Sequence, residues 1–148
     1  MSSISFTVPG PPKGKARART VRTKDGRTFS YTPDGTVLYE NLIKTCYYQT
    51  GVRPFGADEE LRATIVAYYP ITKSTSKKKR QQMLAGLIRP TKKPDLDNVI
   101  KSILDALNKV AYHDDTQIVS LSMEKFYSDS PRVEVTISRS EERRVGKE

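Results

Sequence analysis

Residues 91–119 read TKKPDLDNVIKSILDALNKVAYHDDTQIV, and this stretch organises the reading of the rest of the chain. Val99, Ile100, Ile103, Leu104 and Leu107 recur at three- and four-residue spacing, with Asn98, Ser102 and Lys109 opposite them. That pattern predicts an amphipathic helix over residues 97–110. Pro90 and Pro94 separate it from a basic segment upstream, because proline cannot continue a helical hydrogen-bond ladder. Asp95 and Asp97 stand at its start, and His113-Asp114-Asp115 occupies the turn after it.

Working outward, residues 118–127 and 132–138 read as two strands that pair as a hairpin around Ser128-Asp129-Ser130-Pro131. Upstream, residues 61–69 are rich in β-branched and aromatic side chains and end at Pro70, which predicts a strand. Residues 76–87 read as a short basic helix and 37–49 as a helix ending at Gly51. Ile4, Phe6 and Val8 alternate along an opening strand over residues 3–8, stopped by Pro9-Gly10-Pro11-Pro12. Residues 13–27 then form a mobile basic loop. The expected fold is α+β, one domain over residues 1–138, with a small mixed or antiparallel sheet of about four strands and helices packed on it. Residues 139–148, RSEERRVGKE, resemble the in-frame translation of a DNA-sequencing adapter. They are read either as read-through or as an ordinary charged tail, and stand outside the expected fold.

The 148 residues carry a formal charge of +9 and 36% apolar side chains, enough for one modest core. No apolar stretch approaches the roughly 18–20 residues that cross a bilayer, and no secretory leader is recognisable, so a soluble cytoplasmic protein with no membrane contact is expected. The single cysteine, Cys46, excludes a disulfide framework and a cysteine-based zinc site. Positive charge is patterned: residues 11–27 hold seven basic side chains against one acid, and residues 73–93 hold eight with no acid. Such tracts are either solvated surface or contacts to a polyanion, nucleic acid first among them. Lys13, Lys15, Arg17, Arg19, Lys77, Lys78, Lys79, Arg80, Lys92 and Lys93 are the candidate phosphate contacts.

Within this basic chain the acids at Asp95, Asp97, Asp114 and Asp115 call for an explanation. An extended Asp-x-Asp pair points both carboxylates to one side, and Mg²⁺ takes such hard oxygen ligands. A metal so held can promote phosphodiester hydrolysis. The alternative is that Asp97 or Asn98 caps a helix and Asp114-Asp115 merely turns the chain. Lys101 shares a helical stripe with Asp97 and Asp105, either as a surface ion-pair ladder or as a cation near a phosphate. His113, the sole histidine, reads as a turn residue, with general base as the other option.

Lys93-Pro94-Asp95-Leu96-Asp97-Asn98, then Lys101, Asp105-Ala106-Leu107-Asn108 and His113-Asp114-Asp115-Thr116-Gln117-Ile118-Val119, resemble in order and spacing the central signature of the RusA-type Holliday junction resolvase family. The likeness extends over most of residues 3–137 and includes the Pro-Gly-Pro-Pro turn and the Ser76-Lys77-Lys78-Lys79-Arg80 run. It implies a homodimeric, Mg²⁺- or Mn²⁺-dependent endonuclease, with no small-molecule cofactor, that resolves branched DNA by paired nicks in a bacterial or phage-infected cell. By matching positions it implies Asp95, Asp97 and Asp115 as catalytic metal ligands, Asp114 as a further candidate ligand, and Lys101 as the catalytic lysine. The basic insertion over residues 70–93 is longer than in the shortest family members. Two other readings use the same residues: a related nuclease acting on other branched DNA or RNA, and an inactive nucleic-acid binding protein.

Chain geometry adds one expectation. A helix of about 14 residues separates its ends by roughly 20 Å, so Asp97 and Asp115 meet at one metal either across a two-fold dimer or through a loop that folds back.

Overall fold

The computed structural model describes residues 3–16 and 18–140. Among these are six strands and three helices: β1 (Ser3–Pro9), β2 (Arg19–Arg22), β3 (Thr28–Tyr31), α1 (Asp34–Tyr48), β4 (Leu61–Tyr69), α2 (Lys77–Leu84), α3 (Leu96–Leu107), β5 (Ile118–Tyr127) and β6 (Arg132–Arg139). The fold is α+β, with a four-stranded mixed sheet in the order β1-β6-β4-β5 and a separate β2-β3 hairpin.

Burial alternates strictly along β4, so Leu61, Ala63, Ile65, Ala67 and Tyr69 face inward. Val133, Val135 and Ile137 of β6 extend this floor, with Ile4 and Val8 of β1. Tyr39, Ile43 and Tyr47 of α1 and Val99, Ile103, Ala106 and Leu107 of α3 close over it. Val99, Ile103 and Leu107 of the predicted α3 stripe bury as the spacing predicts, each such large side chain contributing about 1.5–3 kcal/mol, whereas Ile100 and Leu104 are half-buried and Ser102, expected on the opposite face, is buried because the strap of residues 13–16 covers it.

The sheet order corrects the expected hairpin of residues 118–127 and 132–138. β5 pairs parallel with β4 and β6 pairs antiparallel with β4, so β4 separates the two. A parallel neighbour requires a crossover, and α3 supplies it. The short link after β5 passes over the end of β4, where Ser128 N–H donates to Tyr69 O at 2.9 Å. Four residues suffice, since two strand spacings are only about 10 Å.

Three further expectations change. Residues 13–27 are no uniform loop: 13–16 lie as a strap against α3, and Arg19 onward enters the β2-β3 hairpin. α3 ends at Leu107 rather than residue 110, because Lys109 takes a left-handed conformation (φ 63°) and breaks the helical path. Buried Tyr112 folds back to give its hydroxyl to Leu104 O at 2.7 Å, satisfying a carbonyl the helix end leaves open. Finally, β6 runs through Arg139, which pairs with Glu59, and Ser140 is buried with its N–H on Glu60 O at 2.9 Å. These two residues belong to the fold, and the remainder of the expected tail, residues 141–148, lies outside the described residues.

Candidate active site

The chain bends through Lys92, Lys93 and Pro94, with a cis Lys93–Pro94 peptide bond, immediately before α3 begins. Asp95 occupies the N-cap position (φ −68°, ψ 160°), its carbonyl accepts the first helical bond from Val99 N–H, and its carboxylate makes no capping hydrogen bond. Asp97 lies in the first helical turn. The pair is therefore not an extended Asp-x-Asp: the helix begins between its members, since the apolar stripe starts at once. Both carboxylates are exposed at the positive end of the helix dipole, which favours their ionised forms.

This end of α3 is held from two sides. From the sheet, Tyr69 gives its hydroxyl to Pro94 O, and burial together with the charge of Asp95 pushes the phenol up to about 12. Lys125 donates to Lys92 O at 2.8 Å with its ammonium 4.8 Å from the Tyr69 ring centre. From the other side comes the strap. Ser102 Oγ lies 2.9 Å from Lys13 O, Lys15 N–H donates to Asn98 O at 3.3 Å, and Gly14 fits so closely that a Cβ would stand 2.9 Å from that of Asn98. Between strap and helix opens a cleft of about 500 Å³ lined by Lys13, Gly14, Lys93, Pro94, Asp95 and Asn98.

A second set of groups stands at the far end of α3. Asp105 accepts Lys15 at 2.9 Å and Lys101 at 3.5 Å, and Lys15 also meets Glu40 at 3.3 Å. Asp115 N–H donates to Asn108 Oδ1 at 3.1 Å. Gln117 fastens the acidic turn: its Oε1 accepts His113 N–H (2.8 Å) and Asp114 N–H (3.0 Å), while its Nε2 donates to Gly56 O (2.8 Å) and Glu59 O (3.0 Å). A hydrogen bond between the Asp114 and Asp115 carboxyls raises the pKa of Asp115 and lowers that of Asp114. The negative charge of Asp105 adds to the rise and Lys101 opposes it, so Lys101 and Asp105 share an electrostatic neighbourhood with Asp115.

The anticipated carboxylates thus fall into two sets, Asp95 with Asp97 and Asp114 with Asp115. Roughly 17 Å of helix separates Asp97 from Asn108, the residue that holds Asp115. Among the described residues no three acid, cysteine or histidine side chains converge as a metal site within one chain. The oxygen-only pair at Asp95 and Asp97 does suit Mg²⁺, which commonly takes one or two carboxylates and completes its shell with water and phosphate.

Candidate phosphate contacts surround these sets unevenly. Lys77, Lys78 and Lys79 are exposed on α2, which Ser76 caps through Lys79 N–H, while Arg80 pairs with Asp129. Lys92 and Lys93 flank Asp95, with the Lys92 ammonium 5.5 Å from the Tyr127 ring centre; Lys13 lies 6.0 Å from that of Tyr39. Lys15 is committed to its internal ion pairs, Arg19 belongs to the hairpin, and Arg17 lies outside the described residues. His113 is a turn residue held through its backbone N–H, as expected. Tyr69, Asn108, Ser102 and Gln117 were not singled out from sequence as positioning residues. Only Asn108 and Gln117 carried a signal, as polar side chains inside the motif beside the acids.

Comparison with known proteins identifies the family. Residues 9–138 match the family described as Endodeoxyribonuclease RusA. An uncharacterized protein of Bacillus subtilis (strain 168), YqaN, is 39% identical over 145 residues, covering 93% of this chain and 96% of its own. A crossover junction endodeoxyribonuclease of Lactococcus phage r1t is 41% identical over 49 residues, which span 32% of this chain and 37% of the phage protein. With the family signature matched across nearly the whole described fold, the chain belongs to the RusA endodeoxyribonuclease family.

Proposed function

We propose that this protein is a metal-dependent endodeoxyribonuclease that resolves four-way DNA junctions by paired nicks, with each active site completed across a homodimer. The observation that carries the reading is the division of the motif acids between the two ends of α3. A single chain offers two half-sites, and a second copy related by a two-fold axis, with its α3 antiparallel to the first, would bring Asp115 of one beside Asp95 and Asp97 of the other. Two equal sites follow from one such interface, which suits a substrate nicked on two strands.

The surface beside these acids supports the dimer. Leu96, Ile100 and Leu104 form a stripe at four-residue spacing along α3, next to the Asp97-Lys101-Asp105 stripe. Leu96 is 44% exposed, as is Leu121 on the edge strand β5, and Val119 is 51% exposed. Edge strands with uncovered apolar side chains invite pairing with another chain.

In this reading Asp95 and Asp97, with Asp115 of the other copy, hold Mg²⁺ or Mn²⁺, and Asp114 tunes Asp115. The bound metal would supply Lewis acidity for in-line hydrolysis of a phosphodiester. Lys101 contacts the scissile phosphate. To do so it would give up its 3.5 Å pairing with Asp105, which keeps Lys15 at 2.9 Å. Lys13, Lys92 and Lys93 lead the strand along the cleft, and α2 holds a more distant duplex arm.

The test is nicking of labelled four-way junction, fork, linear duplex and RNA, with Mg²⁺, with EDTA, and with Asp97→Asn. Paired nicks in the junction that require Mg²⁺ and vanish in Asp97→Asn while binding persists are expected. Junction cleavage by Asp97→Asn at the wild-type rate would remove the metal assignment, and preferential cutting of RNA or forks would remove the junction assignment.

A further inference from the structure

The β2-β3 hairpin is built unlike the rest of the molecule. Its register pairs Arg19 with Tyr31, Thr20 with Ser30, Val21 with Phe29 and Arg22 with Thr28. Alternation therefore puts Arg19, Val21, Phe29 and Tyr31 on one face and Thr20, Arg22, Thr28 and Ser30 on the other. Every one of these eight residues is exposed, with Phe29 at 50%, Tyr31 at 42% and Val21 at 37%. The ribbon is nonetheless ordered by its own bonds. Thr23 N–H donates to Arg27 O at 2.7 Å, Gly26 (φ 87°) gives its N–H to Thr23 O at 3.0 Å, and Arg27 N–H reaches Asp25 Oδ1 at 3.2 Å. Isolated two-stranded ribbons are marginal in water. An apolar face left open on one implies an occupant that arrives from outside.

Charge and shape together define that occupant. Arg19, Arg22, Lys24 and Arg27 face a single acid, Asp25, so the ribbon carries a net +3. A second copy docked face to face would set these cations against their own images, whereas a polyanion would be attracted. Phe29 and Tyr31, with ring centres 6.3 Å apart and planes tilted by 39°, offer two flat apolar surfaces beside that charge. A ligand bearing phosphates and flat rings matches both. In continuous duplex the base faces are hidden in the stack and only their edges reach the grooves; base faces come free where stacking is interrupted. The ribbon also leaves the body where the strap ends, since Ala16 N–H is held by Thr36 Oγ1 at 3.1 Å and Arg19 follows three residues later. Its root thus lies one short step from the cleft beside Asp95.

We propose that the β2-β3 hairpin is a branch-sensing element, in which Phe29 and Tyr31 stack on bases left unstacked at a discontinuity of the DNA while Arg19, Arg22, Lys24 and Arg27 contact the adjoining phosphates. The inference rests on the endonuclease reading for the identity of the nucleic acid, and gives it a basis for choosing branched over linear substrate.

Binding in EDTA separates this inference from that reading, because no chemistry occurs. Full-length wild type, Phe29→Ala/Tyr31→Ala and the conservative Phe29→Tyr/Tyr31→Phe would be titrated onto four-way junction, gapped duplex and linear duplex, with 2-aminopurine at the branch as a stacking probe. Loss of two base stacks predicts a loss of about thirtyfold or more on junction and gap for the alanine variant. Affinity for linear duplex should stay within about twofold, the 2-aminopurine response should disappear, and the conservative variant should behave as wild type. The thermal midpoint should hold, since neither ring is in the core. A wild type with no preference for branched over linear DNA overturns the inference. So does an unchanged preference in the alanine variant, or a variant whose defect is loss of dimer in sedimentation. A wild type that senses branches in EDTA but never cuts them in Mg²⁺ defeats the nuclease reading and leaves the hairpin's role standing.

Discussion

Replacing Gln117 by leucine tests how the acidic turn is held. The side-chain amide makes four hydrogen bonds of 2.8–3.0 Å, two accepted from His113 and Asp114 N–H and two donated to Gly56 and Glu59 carbonyls. At about 0.5–1.5 kcal/mol net for each, the four together would reach roughly 2–6 kcal/mol. Three of the four lie at exposed positions, where water can replace the lost partner, so the expected loss for Gln117→Leu is near the bottom of that range, about 2 kcal/mol. For a chain of this size that is a fall of about 4–8 °C in thermal midpoint. Gln117→Glu sharpens the test. It keeps the Oε1 that accepts both N–H groups, but at neutral pH it sets a carboxylate oxygen against the two carbonyls of Gly56 and Glu59. That arrangement raises the carboxyl's folded-state pKa, so the deficit should shrink as pH falls and the group regains a proton. Urea unfolding and junction nicking measured side by side provide the assay. Stability within about 0.5 kcal/mol of wild type together with wild-type nicking in Gln117→Leu would refute the claim that this amide positions Asp114 and Asp115.

Gly14→Ala should destabilise the chain by about 1–3 kcal/mol, the usual range for overpacking, because the new Cβ would meet Asn98 Cβ at 2.9 Å and Pro94 Cβ at 3.1 Å; chemical denaturation measures it, and nicking should fall with it as the strap lifts from α3. Burial pulls the Lys15 pKa down, but hydrogen bonds to Asp105 and Glu40 outweigh it and raise the pKa above 10.5. Its stabilisation is thus complete below 10.5 and lost as pH rises through the folded-state value, so Lys15→Met should lack the alkaline loss of stability seen in wild type across that window. Neutralising Lys77, Lys78, Lys79 and Arg80 together should weaken DNA binding and reduce the slope of log affinity against log salt by up to about 3–4; an unchanged slope would leave α2 as solvated surface.

Sequence pattern located the elements whose one face is buried. β4 was legible to the residue because its side chains alternate between core and outer face, and α3 because its apolar stripe meets both sheet and α1. The β2-β3 hairpin was missed for the opposite reason: both faces are exposed, and the alternation of Val21, Phe29 and Tyr31 runs over only four residues per strand within a segment dominated by basic side chains. The pairing of β5 and β6 was misread from a short turn, since a four-residue link serves a hairpin and a step across one intervening strand equally well. At the candidate site, residue types and spacing pointed to the acids. Their distribution between the two ends of α3 follows from helix rise and was foreseeable, but Asp95 as N-cap and the clamps from Tyr69 and Gln117 depend on tertiary contacts that spacing does not encode.

The proposal that two subunits share each active site is tested most directly by subunit mixing. Asp97→Asn and Asp115→Asn chains, each inactive alone, would be co-refolded, and tagged heterodimers isolated and assayed for nicking of a four-way junction in Mg²⁺. If each site draws Asp95 and Asp97 from one copy and Asp115 from the other, the heterodimer holds one doubly altered site and one intact site, so single-strand nicking should return to roughly half the wild-type rate per dimer. Verified heterodimers as inactive as either parent would contradict a site built across the interface.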